Sequence, residues 1–215
     1  MIKLSDSQPI ASGTRRAVYA YPGHQDRLIK VLHSMEKELN HDGLKGTIRR
    51  KFPNTIYRFL FREYDSYIRM MMALGSSDVS PPMAHQWGLV ETDLGLGMIC
   101  ERITLNNSDI APTTKQILQN GDISEHLDLL NQFVQNLFTF DVRLNDLNAR
   151  NVVLGERDGR KQFILIDGMG DSWVIPLRRW SDRINNKSLQ RRIAILAHEL
   201  NLSWDEETGS LRQYG

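Results

Sequence analysis

The most constraining feature of this sequence is a β-hairpin pattern set inside a half of the chain that is otherwise helical. Residues 151–154 and 162–166 are apolar runs joined by a Gly-Glu-Arg-Asp-Gly turn, which predicts two paired strands. Asp146 and Asn151 come directly before or at the start of the first strand, and Asp167 follows the second. Strand pairing is therefore expected to bring these carboxylate and amide side chains near one another.

Such side chains suit chemistry on phosphates. Mg²⁺ is usually held by one or two carboxylates, waters and substrate phosphates, and Asn151 and Asp167 offer oxygen ligands of that kind. Asp146, on the preceding loop, can accept a proton from an attacking hydroxyl. The alternative interpretation is structural, with Asp146 and Asn151 as ordinary loop residues and Asp167-Gly168 as a turn.

The first half of the chain mixes short β-like runs with one long polar stretch. Residues 8–13, 17–21, 27–32, 87–92 and 97–103 are predicted strands, separated by turn signals such as Pro22-Gly23. Helical spacing predicts a helix over 54–74, ended by Gly75. The apolar residues expected to pack in its core-facing stripe are Phe59, Leu60, Tyr64, Tyr67, Ile68, Met71 and Met72. The first half is thus predicted as five strands and one helix.

The second half is predicted to be mostly helical. Asp122 and Glu125 have capping-box spacing. They precede an apolar stripe formed by Leu127, Leu130, Val134, Leu137 and Phe138. Residues 180–202 are predicted to form one or two basic amphipathic helices.

Composition limits the class of protein. Lys and Arg total 27 against 26 Asp and Glu, a net charge of +1, which is not the strongly basic balance of nucleic-acid-binding domains. The chain lacks an apolar run of about 18 residues, and its start lacks the apolar core of a signal peptide. The single cysteine, Cys100, excludes an intrachain disulfide framework. We therefore expect a cytoplasmic protein without a transmembrane segment, and nucleic acid is not an expected partner.

Positive charges gather in two regions, residues 33–62 and 178–192. One interpretation is a solvated surface without a specific partner. The other is a basic surface that attracts anions such as phosphates, lipid head groups or acidic proteins. Peripheral contact with an anionic membrane is therefore left open.

The order of the polar residues resembles the protein-kinase-like fold. Kinase catalytic loops carry an Asp followed by an Asn, and a magnesium-binding Asp ends the next hairpin. Asp146, Asn151 and Asp167 match those positions. The resemblance implies that Lys30, in the third strand, positions the phosphates of ATP, and that Glu63, on the following helix, pairs with Lys30.

The resemblance also implies a nucleotide site in the first half of the chain. Gly13 lies in the loop where kinases have a glycine-rich phosphate cover, and the Glu101 carbonyl and Ile103 amide would contact adenine. Cys100 would be the gatekeeper residue. The residues implied to bind ATP are Gly13, Thr14, Arg15, Lys30, Glu101 and Ile103.

A closer resemblance is to the small bacterial YrbL family, which is tied by name to the PhoP regulatory network. It covers most of the chain, with residues 33–62 as an insertion. This family is defined by sequence and regulation more than by a reaction, so the resemblance bears on fold more than on substrate. The segments that resemble the family are residues 1–5, 13–16, 88–97, 147–152 and 175–177, with Trp180.

Together these features predict an α+β, compact two-lobed kinase-like fold. Residues 1–215 would form one domain, with a five-stranded N-lobe over 1–103 and a shortened helical C-lobe over 104–215. About 48 of the 215 residues follow Asp167, and no Ala-Pro-Glu motif follows it. The part of a kinase that docks peptide substrates is therefore expected to be missing.

The predicted function is ATP- and Mg²⁺-dependent phosphoryl transfer to a hydroxyl acceptor. The acceptor would be an anionic small molecule, a lipid or lipopolysaccharide component, or a protein. Two departures from the kinase pattern, the reduced glycine loop at Gly13 and Leu144-Asn145 in place of His-Arg, favour an alternative, a pseudokinase that binds a nucleotide or a partner. Gly168 also stands where kinases have Phe. A third hypothesis is AMP transfer, for which Arg15 and Arg16 are the only candidates.

Overall fold

The computed structural model divides the chain into two units. The first comprises Met1–Tyr64 and His85–Arg102, and the second comprises Asp65–Ala84 and Ile103–Gly215. The organisation into a single domain with a boundary after residue 103 stays a prediction. The residues that the structure describes are 1–13, 16–32, 57–75, 79–106, 109–121, 123–170 and 182–214.

A five-stranded antiparallel sheet forms the first unit, with its strands in the order β1-β2-β3-β5-β4. The five predicted strands are all present. The first is shorter than expected, with Ala11 and Ser12 as its two paired residues. The strands are β1 (Ala11–Ser12), β2 (Arg16–Tyr21), β3 (His24–Leu32), β4 (Gln86–Thr92) and β5 (Gly95–Glu101).

One face of this sheet carries an apolar core. Ala17 and Tyr19 of β2 pair with Val31 and Ile29 of β3, and these four side chains cluster with Leu4. Side chains alternate between the two faces of a strand. The residue between Ile29 and Val31, which is Lys30, therefore points away from this core.

In the described part of the chain between β3 and β4, residues Arg58–Leu74 form helix α1. The predicted helix started at residue 54, but residues 54–56 lie outside the described part of the chain. Gly75 ends the helix with a φ of +56° and donates its amide to Met71 O at 3.1 Å, as expected of a C-terminal glycine.

The apolar stripe predicted for α1 needs correction. Ile68 is 43% exposed and Met72 is 77% exposed. Ile68 lies one position after the buried Tyr67, and Met72 lies two positions after the buried Met70. Because a helix turns about 100° per residue, both side chains are rotated to the solvent side. Five buried positions recur at alternating spacings of three and four, with Ser66 buried beside them, and the five are Leu60, Glu63, Tyr67, Met70 and Leu74.

The second unit combines helices with the predicted hairpin over residues 152–165. The hairpin pairs Val152 with Leu165 at its base and Arg157 with Arg160 at its turn. A 3₁₀ helix, Ile123–His126, precedes α3, and the predicted cap Asp122 lies outside the described residues. The elements are β6 (Thr104–Leu105), β7 (Asp109–Ile110), α2 (Thr114–Asn120), α3 (Leu127–Thr139), β8 (Val152–Arg157), β9 (Arg160–Leu165) and α4 (Asp182–Glu199).

A second hairpin near the C-terminus was not predicted. Its strands are β10 (Leu202–Asp205) and β11 (Ser210–Gln213). Asn131 of α3 holds it, because its Nδ2 donates to Leu211 O at 3.2 Å and its Oδ1 accepts from Leu211 N at 2.7 Å. Strands of four residues are too short for an alternating pattern to stand out in a sequence.

Much of the two basic regions lies outside the described residues, which omit 33–56 and 171–181. Within α4, Arg183 and Arg191 are exposed. In the ranges that the structure covers, no helix combines the length and the apolar character needed to cross a bilayer.

Candidate functional site

A buried ion pair lies between the sheet of the first unit and helix α1. Lys30 Nζ is 3.6 Å from Glu63 Oε1, and the two side chains are 9% and 0% exposed. Gln86 of β4 donates its Nε2 to the same Glu63 oxygen at 3.2 Å. The structure thus brings together the lysine and the glutamate that sequence analysis singled out, although their role stays a prediction.

Regular spacing explains why these two residues meet. Strand alternation turns Lys30 away from the core that holds Ile29 and Val31. On α1, Glu63 occupies a position in the buried stripe between Leu60 and Tyr67, where an apolar residue would be expected. A carboxylate with no solvent exposure requires charged or hydrogen-bonding partners, and Lys30 and Gln86 are two of them.

Arg16, at the start of β2, is a third partner and was not predicted. Its Nη1 donates to Glu63 Oε2 at 2.6 Å, and its side chain is 8% exposed. A short contact between two charged groups is the stronger type of hydrogen bond, so Arg16 makes the closer of the two cationic contacts to Glu63. Strand alternation, which can be read from the sequence, puts Arg16 on the same face as Val18. In the structure, Val18 pairs with Lys30, so Arg16 and Lys30 share that face.

The second cluster lies in the second unit, at the base of the hairpin formed by β8 and β9. Asn151 Nδ2 is 3.2 Å from the Asp146 carbonyl oxygen and 3.4 Å from Asp146 Oδ2. Asn151 O also accepts from Ile166 N at 2.8 Å, which ties the loop to the end of β9. Asp146 and Asn151 are therefore in direct contact, and Asp167 follows on the chain after Ile166.

Gly168 connects Asp167 to the Asp146 loop. Its carbonyl oxygen accepts the amides of Asn145 at 2.8 Å and Asp146 at 3.0 Å, and its own amide donates to Asp167 Oδ1 at 2.6 Å. Gly168 has a φ of +91°, and a Cβ added there would overlap the Asp146 carbonyl oxygen. The position therefore requires glycine, and the Phe that kinases place here would not fit.

The remaining predicted residues make contacts that do not define a role. Gly13 is exposed, and a Cβ added there would lie 3.8 Å from Arg16 O, an ordinary van der Waals distance. Thr14 and Arg15 lie outside the described residues. Glu101 Oε2 accepts from His85 N at 2.9 Å.

Cys100 and Ile103, the gatekeeper and adenine-contact residues implied by the kinase resemblance, are both buried. Cys100 lies in β5 and is 2% exposed. Ile103 is 5% exposed, and its carbonyl oxygen accepts from Ala111 N at 3.1 Å. Neither observation tests the roles of gatekeeper and adenine contact, which stay predictions.

Comparison with known proteins decides the family. The model of the family described as PhoP regulatory network protein YrbL matches residues 2–201. The chain belongs to the YrbL family. It is 28% identical over 187 residues to proteins described as "Uncharacterized protein YrbL" from Escherichia coli strain K12 and from Shigella flexneri, covering 84% of this chain and 79% of each relative.

Similar solved structures are kinase domains. The PknI kinase domain of Mycobacterium tuberculosis has a TM-score of 0.49 at 17% identity, with 88% of this chain and 71% of that chain covered. A doubly substituted form of the same domain gives a TM-score of 0.49 at 18% identity, with 88% and 73% covered. The sheet and helices of the structure confirm the expected α+β class with a five-stranded N-terminal sheet.

Proposed function

We propose that this YrbL-family protein transfers the γ-phosphoryl group of ATP to a hydroxyl acceptor in a Mg²⁺-dependent reaction. The observation that carries the proposal is the buried contact of 3.6 Å between Lys30 and Glu63. In protein kinases, a lysine of the third strand and a glutamate of the following helix must form this pair for catalysis. Burying the Lys30 side chain, which is 9% exposed, is costly unless its charge has a partner, and phosphate binding would give the buried pair a function.

The donor set of the second cluster fits Mg²⁺. Asp167 supplies a carboxylate, and Asn151 has its Nδ2 engaged with Asp146, so Oδ1 is its available ligand atom. Both are hard oxygen donors of the type that Mg²⁺ prefers. When bound, the ion would offset the negative charge of the phosphates.

Asp146 is the group proposed to accept the proton of the acceptor hydroxyl. Its carboxylate is exposed to solvent and therefore accessible to an acceptor, while the amides of Asn145 and Asp146 fix its loop to Gly168. In the proposed step, the acceptor oxygen bonds to the γ-phosphorus, the bond to the bridging oxygen of ADP breaks, and the hydroxyl proton passes to Asp146. The chain contributes mainly positioning and charge stabilisation.

A second candidate function, nucleotide or partner binding without transfer, is favoured by Arg16. Its contact of 2.6 Å with Glu63 is shorter than the contact that Glu63 makes with Lys30. In this alternative, Glu63 serves to hold Arg16 in the sheet rather than to position Lys30 for phosphate. AMP transfer loses support from Arg16, because that guanidinium is buried against Glu63.

Labelled ATP separates these functions. The protein is incubated with Mg²⁺ and ATP labelled at the γ or the α phosphate, together with a bacterial small-molecule extract as the source of acceptor. Nucleotide binding is measured in parallel by calorimetry. The test variants are Asp146→Asn and Asp167→Asn, and the matched control is Asp128→Asn, at an exposed position in the first turn of α3.

The expected result is transfer of γ label by the wild type and by Asp128→Asn, and its loss in Asp146→Asn and Asp167→Asn. Asn retains the oxygen that accepts the Gly168 amide at position 167, so this loss would reflect charge. Transfer of α label would support AMP transfer. Nucleotide binding without transfer would favour the pseudokinase, and the absence of both binding and transfer would refute the enzyme proposal.

A further inference from the structure

We infer that a cavity next to Asp146 binds the acceptor, and that it selects a small, soluble polyhydroxy molecule bearing an anionic group. This inference rests on the proposed function, because it gives that reaction its substrate class. The cavity has a volume of about 510 Å³ and lies wholly within the second unit. It is bordered by helix α2, the loop over residues 146–150 and the C-terminal end of α4.

The lining of the cavity is polar. Of the described residues that border it, only Leu118 and Ala149 are apolar, and the others are Lys115, Gln119, Asp146, Asn148, Arg150 and Glu199. Most small-molecule pockets are lined mainly by apolar side chains with a few polar groups. The polar side chains of this lining offer hydrogen-bonding groups for several hydroxyls, which fits a sugar-like molecule.

Two cations lining this cavity are available to an anion. Among the residues that the structure describes, neither Lys115 nor Arg150 forms an ion pair with a carboxylate, although Asp146 and Glu199 line the same cavity. Glu199 is engaged elsewhere, because its Oε2 accepts the Ala149 amide at 2.8 Å. Lys115 is only half exposed, so solvent screens its charge less than that of a fully exposed lysine.

The backbone fixes Lys115 relative to the loop that carries Asp146. The Lys115 amide and the Thr114 hydroxyl both donate to the Ala149 carbonyl, at 2.9 and 2.8 Å. A capping box between Thr113 and Gln116 also holds the first turn of α2. An acceptor whose anionic group binds Lys115 would therefore be held at a defined place beside Asp146, which is how binding energy assists a reaction.

The test measures binding separately from transfer. Calorimetry is done with the full chain, Mg²⁺ and a non-hydrolysable ATP analogue, using glucose 6-phosphate and glucuronate as anionic probes, glucose as the neutral probe and glucosamine as the cationic one. Vesicles containing phosphatidylinositol provide a lipid source of the same polyol. The variants are Lys115→Gln and Arg150→Gln. Matched controls are Lys161→Gln and Arg160→Gln, exposed positions on β9 in the same unit.

The anionic probes are expected to bind at least about tenfold more tightly than glucose, the factor typical of one charge-assisted hydrogen bond. Lys115→Gln should abolish that preference, Arg150→Gln should weaken it, and the two controls should keep it. Equal binding of glucose and glucose 6-phosphate, an unchanged preference in Lys115→Gln, binding of vesicles alone, or no binding of any probe at millimolar concentration would overturn the inference.

The same samples, supplied with γ-labelled ATP, distinguish this inference from the proposed function. Anionic probes that bind in a Lys115-dependent manner without receiving label would keep the pocket and refute phosphoryl transfer. Label transferred to another acceptor at an unchanged rate in Lys115→Gln would keep the transferase and refute this pocket as its acceptor site.

Discussion

Replacing Glu63 by Gln tests the central contact of the first unit. The substitution keeps the shape of the side chain and removes one negative charge at a position with no solvent exposure. Arg16 and Lys30, whose side chains are 8% and 9% exposed, lose the carboxylate that they share at 2.6 and 3.6 Å. Removing one partner of a buried ion pair typically costs about 3–5 kcal/mol.

The lower end of that range is expected for Glu63→Gln, because the amide oxygen of Gln can still accept from Arg16. A loss of about 3 kcal/mol corresponds to a fall in Tm of about 6–12 °C for a chain of this size. The matched control is Asp65→Asn on the same helix. Its partner Arg69 lies one turn away at 3.0 Å, with both side chains largely in solvent, and such pairs contribute about 0.3–0.5 kcal/mol.

Urea unfolding followed by circular dichroism and by tryptophan fluorescence gives the free energies of unfolding. Coincidence of the two signals is required before a two-state analysis is applied. A difference between Glu63→Gln and Asp65→Asn of less than about 1 kcal/mol, the range of exposed pairs, would refute the reasoning. It would mean that the Glu63 charge is not energetically tied to its neighbours.

Double-mutant cycles then divide the energy between the two cations. Glu63→Gln is combined in turn with Arg16→Gln and with Lys30→Gln. Because Arg16 makes the shorter contact, its coupling to Glu63 is expected to be the larger of the two. A larger coupling for Lys30 would contradict the ranking by distance and would weaken the argument that favours the pseudokinase.

Three further predictions test other parts of the chain. Gly168→Ala and Gly159→Ala should both lose about 1–2 kcal/mol of unfolding free energy, the cost of a side chain at positive φ. In urea unfolding, only Gly168→Ala should lose more than that, because open space surrounds a Cβ at Gly159. The side chain of Ser5 and neighbouring backbone amides hold the pKa of Asp93 below its ordinary value of 3.8; the resulting stabilisation is present above that pH and lost as pH falls through the lower folded value. The excess stability of the wild type over Asp93→Asn should therefore shrink in acid, and a constant difference would contradict this. Gly13→Ala should change the free energy of unfolding by less than about 0.5 kcal/mol and weaken binding of an ATP analogue; unchanged binding would remove Gly13 from the nucleotide site.

The kinase resemblance predicted the contact between Lys30 and Glu63, and regular periodicity explains why it forms. Lys30 alternates with Ile29 and Val31, which turns its side chain away from their core, and Glu63 shares the buried helical stripe of Leu60 and Tyr67. The same strand rule would have found Arg16. The pairing of Arg16 with Glu63 was missed because Arg16 was considered for the AMP-transfer hypothesis instead.

The cavity beside Asp146 had no comparable signal. Lys115, Asp146 and Glu199 are far apart in the chain and carry no shared spacing. Their proximity depends on Ala149, whose carbonyl accepts from α2 and whose amide donates to α4. Ala149 makes these contacts with its backbone, and its side-chain partners Thr114 and Glu199 share no spacing in the chain, so residue patterns do not reveal them.

The glycine at position 168 shows why a departure from the kinase pattern is weak evidence of lost activity. By sequence alone, Gly168 is a departure from the kinase pattern, which has Phe at this position. In the structure, the Gly168 carbonyl receives the amides of Asn145 and Asp146 at 2.8 and 3.0 Å, and no side chain fits at that position. The departure therefore reflects how the loop carrying Asp146 is held in place. Whether that loop serves transfer depends on charges at Asp146 and Asp167, and only substitutions that remove those charges bear on the question.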